Sequence, residues 1–195
     1  MQSSRLRIDL LGGFRVNVGD AAMGVDAWRR RKPPALAKIL ALTPGHRVHR
    51  EQLMELSWPD LDAAPAGANL RKAIYQARGA LDGVSHGAAR LIEFVGDAVS
   101  LATEGLVVDV ELFRSSLAAA RRARASDGYR RALGVFGGKL LPDDPYEEWT
   151  CGPRRELHEE YLAGLTEMSE LTRQRWTWRA NSRHSPGCPK PTSSV

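Results

Sequence analysis

The stretch GANLRKAIYQARGAL, residues 67–81, combines an apolar stripe with a face rich in cationic and amide side chains. At 100° per residue, four apolar side chains fall within a narrow arc and predict the buried side of an amphipathic helix: Leu70, Ile74, Ala77 and Leu81. The remaining surface carries side chains suited to phosphates and base edges: Asn69, Arg71, Lys72, Tyr75, Gln76 and Arg78. The alternative is an ordinary solvated helix face. Which of the two interpretations is favoured, nucleic-acid binding or a solvated face, depends on the elements predicted around this helix.

The elements predicted around this helix have the order of a winged helix. Helices are inferred from apolar residues at helical spacing, strands from alternation, and turns from Gly, Pro, Asn and Asp. In chain order the sequence predicts two strands within residues 6–20, a third near Met23–Val25, helices within 28–44 and 47–58, a loop over 61–68, the helix of 67–81, and a hairpin of Leu91–Val95 and Val99–Ala102. A basic helix that is third of three and precedes a hairpin favours nucleic-acid binding over a solvated face.

The chain beyond residue 107 predicts an all-helical region. Apolar spacing indicates helices within 108–125, 127–136 and 154–173. The predicted core faces are Val110, Phe113, Leu117 and Ala120 on the first helix, and Leu157, Tyr161, Leu165, Met168 and Leu171 on the last. Residues 175–195 lose this periodicity and predict a disordered tail. The predicted fold class is therefore α+β, with a small N-terminal sheet and winged helix over 5–102 and a helical domain over 107–174.

Charge divides the chain in the same way. Lys and Arg outnumber Asp and Glu by 14 to 10 over residues 1–100, whereas acidic residues lead by 13 to 9 over 101–172. This asymmetry suggests modules with different partners, with chance variation of solvated surfaces as the alternative. No apolar run has the length of a membrane span, and the two cysteines, Cys151 and Cys188, lack metal-site spacing. We therefore expect a cytoplasmic protein with no membrane partner and no cofactor.

Three further cationic groups lie where a winged helix would meet a phosphate backbone. They are Arg29, Arg30, Arg31 and Lys32 at the start of the first helix, Arg47, His49 and Arg50 around the start of the second, and Arg90 at the entry to the hairpin. The N-terminus of the second helix would add a partial positive charge. A solvated loop is the alternative for each group.

Sequence motifs for catalysis fail at specific positions. GVFGGKL lacks the first glycine of a phosphate-binding loop and the Ser or Thr that should follow Lys139. LHEEYL has Leu162 where a zinc-protease helix carries its second histidine. Ser115 and Ser116 are not framed by glycines as an activated serine would be. The sequence therefore predicts that the chain is not an enzyme.

Taken together, these stretches resemble the Streptomyces antibiotic regulatory protein (SARP) family of actinobacterial transcriptional activators. That family joins an OmpR-type winged helix to a bacterial transcriptional activator domain. The resemblance is carried by LRIDLLGGFRV, RRRKPPALAKILALTPGHRVHREQLMELSWPD, ANLRKAIYQARGAL, VVDVELFRSSLAAA and ALGVFGGKLLPDDPYEEWTCGPRRELHEEYL. It covers residues 5 to about 173, and its specificity lies in the ordered set of stretches rather than in any one motif.

The resemblance implies a DNA-binding transcriptional activator. It places the helix of 67–81 in the major groove of double-stranded DNA, with Asn69, Lys72, Tyr75, Gln76 and Arg78 facing bases and Arg71 on the backbone. It also implies binding to direct repeats near promoters, contact with RNA polymerase, and a homo-oligomer on DNA. The resemblance further implies control of a pathway such as antibiotic biosynthesis. It also implies that the helical region is tetratricopeptide-like.

Two features depart from the family pattern. Gly79 stands where relatives carry a larger residue, and the helical region is shorter than the family's activator domain. We therefore expect a partial activator domain that leaves the apolar face over Leu157–Leu171 uncovered. The competing interpretation is a truncated protein-interaction or oligomerisation fragment with only non-specific DNA binding.

Overall fold

The computed structural model describes residues 6–24, 28 and 32–182, with side chains through residue 174. The described strands are β1 Leu6–Asp9, β2 Arg15–Val18, β3 Ala21–Ala22, β4 Arg47–His49, β5 Ile92–Val95, β6 Ala98–Leu101 and β7 Val107–Val108. The described helices are α1 Lys32–Leu42, α2 Arg50–Ser57, α3 Ala63–Val84, α4 Asp109–Ala123, α5 Ser126–Val135 and α6 Cys151–Ser182. The strands form two sheets, in the orders β3-β2-β1-β7 and β4-β6-β5.

Helices α1 to α3 and the β5–β6 hairpin form the winged helix. The apolar stripe predicted on α3 is buried, and Leu70 and Ile74 are each only 2% exposed. The hairpin is antiparallel, with Phe94 opposite Val99, and β4 adds a third strand alongside β6. The polar side of α3 is therefore turned away from a core that it shares with α1, α2 and the hairpin.

Three boundaries in this half differ from the prediction. The segment predicted as a loop over 61–68 is mostly helical, because Pro65 falls in the first turn of α3, where its missing N–H leaves no bond unmade. Arg47–His49, predicted as helix, form β4 because they pair with β6. The third strand lies at Ala21–Ala22 rather than at Met23–Val25.

The N-terminal sheet joins the winged helix to the helical region. Strand β1 pairs antiparallel with β2 and parallel with β7, which leads directly into α4. The carboxylate of Asp109, at the start of α4, accepts the backbone N–H groups of Leu10 at 2.9 Å, Leu11 at 2.8 Å and Val110 at 2.8 Å. Burial outweighs these hydrogen bonds and raises the pKa of Asp109 above its ordinary value.

The glycines at 12 and 137 permit two backbone segments to meet at this junction. Gly12 has a φ of +78°, and a Cβ atom on it would lie 2.7 Å from the carbonyl oxygen of Gly137. The close approach lets Gly12 donate its N–H to the carbonyl of Lys139 at 3.0 Å. Leu141 donates in turn to the carbonyl of Leu10 at 2.9 Å. The loop after α5 is thereby fixed to the N-terminal sheet.

Polar contacts also link α1, and His46 shortly after it, to the helical region. Lys38 of α1 is 8% exposed, and its Nζ lies 2.6 Å from the Asp144 carboxylate and 4.8 Å from the centroid of the Phe14 ring. The Nε2 atom of buried His46 lies 3.2 Å from the carboxylate of Glu111 on α4. The two predicted domains therefore share polar contacts in addition to an apolar core.

The core faces predicted for the helical region are buried. Phe113 and Leu117 of α4 are at most 1% exposed, and α4 and α5 pack as a helix pair against α6. The apolar face expected to be uncovered on α6 is instead packed against this core, with Leu157 buried and Tyr161 partly buried. That expectation was wrong because α4 and α5 already cover the stripe. Leu162, outside the stripe, is 47% exposed.

Helix α6 is longer than predicted. It continues to Ser182, so the predicted disordered tail is wrong for residues 175–182, and residues 183–195 lie outside the described part of the chain. The reason is that no Pro or Gly interrupts the chain between Leu165 and Ser182. Of the described helices, none is both long and apolar enough to cross a membrane.

Candidate nucleic-acid interface

The polar side of α3 is exposed. Tyr75 is 79% exposed, Arg71 and Lys72 are exposed, and the amides of Asn69 and Gln76 are half-buried at its flanks. Within the described residues, neither Arg71 nor Lys72 has a carboxylate at ion-pair distance. The face therefore offers two unneutralised cations, an aromatic ring and two amide groups to a partner.

Arg78 holds the β5–β6 hairpin against α3. Its Nε donates to the carbonyl of Ile92 at 2.9 Å, and its guanidinium lies 5.6 Å from the centroid of the Phe94 ring. Guanidinium has five N–H groups, so one bond to the strand leaves others for a further acceptor. The structure thus gives this predicted base-facing residue a role in positioning the hairpin.

The start of α2 is tied to the turn of the hairpin. The backbone N–H of Arg50 donates to the carbonyl of Asp97 at 2.8 Å, and its side chain lies 3.6 Å from the Asp97 carboxylate. Arg47 donates through Nη2 to the carbonyl of Val95 at 3.1 Å. His49 caps α2 by accepting the N–H of Glu51 on Nδ1 at 3.4 Å. Three exposed side chains predicted to contact phosphate are thereby gathered beside the hairpin.

A cavity of about 600 Å³ lies between α2, α3 and β5. Arg50 from α2 and Arg71 from α3 both line it, together with Phe94 of the hairpin and Glu51. Two arginines that are far apart in sequence are therefore brought to one recess. Glu51 supplies one opposing charge there, and its side chain is 71% exposed.

The remaining predicted backbone contacts are not gathered at this place. Lys32 donates to the carbonyl of Ser57 at 2.6 Å and lies 5.7 Å from the ring centroid of Trp58. Ser57 ends α2 and Arg50 begins it, so Lys32 closes the opposite end of that helix, about 10 Å away. Arg90 is exposed and donates to the carbonyl of Gly87 at 3.3 Å. Arg29, Arg30 and Arg31 lie outside the described residues.

Sequence reasoning missed the apolar side chains at the end of β5. Phe94 is 47% exposed and Val95 is 40% exposed. Exposure of consecutive residues departs from the alternation expected of a strand with one buried face. Exposed apolar side chains beside a cationic face suit contact with sugar rings or base methyl groups. The sequence does contain a signal for this exposure, because Phe94 lies only two positions before the Gly96-Asp97 turn of the hairpin.

A solved structure with the same fold is Mycobacterium tuberculosis EmbR in complex with a low-affinity phosphopeptide. The two structures align with a TM-score of 0.69 at 19% sequence identity, over 87% of this chain and 46% of the EmbR chain. No protein-family model and no curated protein matches the chain. The chain therefore shares the fold of EmbR, and it spans less than half of the length of the EmbR chain.

Proposed function

We propose that this chain is a sequence-specific DNA-binding transcription regulator of the SARP type. The observation that carries the proposal is the exposed face of α3, where Arg71 and Lys72 have no carboxylate partner in the described part of the chain and Tyr75 is 79% exposed. The major groove of B-DNA admits an α-helix and presents a distinct pattern of donors and acceptors for each base pair. A cationic helix face braced by a hairpin has the shape and charge for that groove.

The proposed contacts divide by chemistry. Lys72 and Gln76 read base edges, because lysine donates to guanine acceptors and glutamine pairs in a bidentate manner with adenine. Arg47 and Arg50 contact phosphate at the start of α2, where the helix N-terminus also favours an anion. Phe94 of the hairpin packs against the adjoining backbone sugars.

The sequence resemblance and the EmbR-like fold support a finer proposal. The protein binds direct repeats near promoters as more than one copy and activates transcription by contacting RNA polymerase through α4–α6. Packed helix pairs of this kind present extended surfaces to other proteins. The genes controlled belong to one pathway, such as antibiotic biosynthesis.

Selection from randomised duplex DNA tests the proposal. The purified chain is incubated with the DNA pool at near-physiological salt, and bound sequences are recovered over several rounds. We expect a short motif that recurs as a direct repeat. Recovery of unenriched sequences by a folded protein would contradict sequence-specific binding.

A matched pair of variants then tests the reading helix. Lys72→Ala with Gln76→Ala should abolish the preference for the selected motif, because each good bidentate or charged base contact contributes about 1–3 kcal/mol of discrimination. Arg122→Ala with Arg131→Ala removes two exposed cations from α4 and α5 and should leave the preference intact. Equal behaviour of the two variants in competition binding would place recognition elsewhere.

An interaction fragment is the second candidate function. The observation that favours it is the exposure of Leu112 at 38% and Leu162 at 47% on α4 and α6. Such a fragment would adhere to heparin and to all DNA sequences alike, since only charge would drive its binding. Enrichment of a motif separates the two functions.

A further inference from the structure

A second cavity, of about 660 Å³, opens in the helical region between the loop after α5 and the first turns of α6. We call it the α6 cleft, and its lining includes Phe136, Tyr161, Lys139, Arg154, Arg155 and His158. Its volume lies within the range of about 300–1,000 Å³ that is typical of small-molecule sites. Nothing in the DNA-binding proposal uses it.

The apolar wall of the α6 cleft is aromatic and fixed in place. The rings of Phe136 and Tyr161 are stacked, with centroids 4.3 Å apart and planes 20° apart. Phe113, which is fully buried, meets Phe136 edge-on at 5.3 Å. Phe136 is therefore held between Phe113 and Tyr161, and the stacked pair forms a rigid apolar wall.

The polar rim of the α6 cleft is cationic. Arg154 is half-buried and donates to three carbonyls, those of Leu140 at 3.0 Å, Leu141 at 3.1 Å and Asp144 at 3.2 Å. These neutral acceptors fix the guanidinium without cancelling its charge. Lys139 and Arg155 are exposed, and among the described residues no carboxylate lines the cleft or pairs with either of them.

This collection of cations stands out against its surroundings. Residues 101–172 carry 13 acidic and 9 basic residues, so the segment as a whole is acidic. Two arginines of α4 are paired with carboxylates of α6, Arg114 with Glu160 at 2.8 Å and Arg121 with Glu167 at 2.9 Å. The α6 cleft, in contrast, brings Lys139, Arg154 and Arg155 together beside an aromatic wall, with no carboxylate among its described lining residues.

We propose that the α6 cleft binds a small organic anion that has a planar aromatic body and a carboxylate, sulfonate or phosphate head. The aromatic body packs against the apolar wall of Phe136 and Tyr161, and the head lies between Lys139 and Arg155. Arg154 supplies a fixed positive charge at the cleft, where charge-assisted hydrogen bonds to an anion are strong. The loop between α5 and α6, which contributes Phe136 and Lys139 to the cleft, also carries Asp144, the partner of Lys38 on α1. A ligand in the cleft would therefore lie close to the junction with the winged helix.

Binding of 8-anilinonaphthalene-1-sulfonate, an aromatic sulfonate whose fluorescence rises in apolar sites, tests the proposal in the full chain. We expect saturable binding at one site per chain. The uncharged N-phenyl-1-naphthylamine should bind at least about tenfold more weakly, since it has the rings without the anionic head. No saturable site, or equal binding of the two probes, would overturn the proposal.

Charge-reversal variants locate the site. Lys139→Glu with Arg155→Glu should weaken sulfonate binding about tenfold or more, whereas Arg122→Glu, which changes an exposed cation of α4 outside the cleft lining, should leave it unchanged. A loss that is the same in both variants would overturn the assignment to the α6 cleft. Circular dichroism checks that each variant is folded.

A measurement on the unsubstituted protein keeps the test independent of folding. Cys151 lines the cleft and is exposed. Saturation with the sulfonate should slow alkylation of Cys151 by N-ethylmaleimide several-fold, as followed by peptide mass spectrometry. An unchanged rate at saturation would show that the probe binds outside the cleft.

Discussion

Charged side chains serve different purposes at two places in the molecule. At the junction of the N-terminal sheet with the helical region, Lys38 and Asp109 are buried and partnered. On α3, Arg71 and Lys72 are exposed, and no ion pair is found for them in the part of the chain that the structure describes. Buried charge is tolerated only when paired, whereas an exposed cation is stable alone. The junction charges therefore hold the fold, and the α3 charges are free to meet a polyanion.

Breaking the junction ion pair should give the largest effect. Asp144→Ala leaves the ammonium of Lys38 buried without its carboxylate, and removing one member of a buried pair typically lowers stability by about 3–5 kcal/mol. Urea unfolding followed by circular dichroism measures the loss in the free energy of unfolding.

The double variant Lys38→Met with Asp144→Leu is the control for that experiment. It removes both charges and keeps apolar volume, so it should recover most of the lost stability. A loss below about 1 kcal/mol in the single variant would show that Lys38 reaches water by another route.

Removing the carboxylate of Asp109 should have the next largest effect. Asp109→Ala leaves the N–H groups of Leu10 and Leu11 without their acceptor, and unmade buried hydrogen bonds of this kind cost about 2–3 kcal/mol. Asp127→Ala, which removes an exposed carboxylate on α5, is the matched control and should change stability by less than about 0.5 kcal/mol. Equal losses from the two substitutions would refute a structural role for the buried group.

The raised pKa of Asp109 predicts how the stability cost of Asp109→Ala changes with pH. Because burial raises the pKa of Asp109 in the folded chain, the folded state holds this proton more tightly than the unfolded state does. The resulting stabilisation is complete below the ordinary pKa of 3.8 and is lost as pH rises through the folded-state value. The stability difference between the unsubstituted protein and Asp109→Ala should therefore narrow as pH rises from 3.8, and a widening difference would contradict the raised pKa.

The cations next to the hairpin should affect DNA binding rather than stability. Arg47→Ala with Arg50→Ala should lower the slope of log affinity against log salt by about 2 and weaken binding to all sequences, because each phosphate contact releases about one counterion. Fluorescence anisotropy with a labelled duplex, from low to moderate salt, measures the slope. Arg122→Ala with Arg131→Ala removes the same charge from the helical region and should leave the slope unchanged.

The sequence correctly predicts the parts of the fold that depend on the local spacing of apolar residues. The α3 stripe of Leu70, Ile74 and Leu81 recurs at helical spacing, so both the buried and the exposed side of the helix follow from it. The same holds for Phe113 and Leu117 on α4. The candidate interface could be predicted from the sequence for the same reason, because its central residues all lie on α3.

The parts that escaped prediction depend on contacts between distant residues. Lys38 and Asp144 are 106 positions apart, and a lysine within the run ALAKILAL gives no sign of a buried partner. Arg78 has the spacing of a base-facing residue, but its bond to Ile92 depends on how the hairpin folds back on α3. Periodicity reports which side of a helix is buried and does not report which element packs beside it.

The exposed pair between Arg121 and Glu167 should give the smallest effect. The side chains of Arg121 and Glu167 are 43% and 35% exposed. Solvent screens such pairs, so each contributes less than about 1 kcal/mol to the free energy of unfolding. Hydrogen bonding to Arg121, assisted by Tyr129, lowers the pKa of Glu167, so its stabilisation is present above the ordinary value of 4.5 and is lost as pH falls through the folded-state value. Glu167→Gln should therefore lower the free energy of unfolding by less than about 1 kcal/mol at pH 7 and flatten its decline in acid, with DNA affinity unchanged. A loss as large as that of Asp144→Ala in the same urea titration would show that paired surface charge, as well as buried charge, holds this fold together.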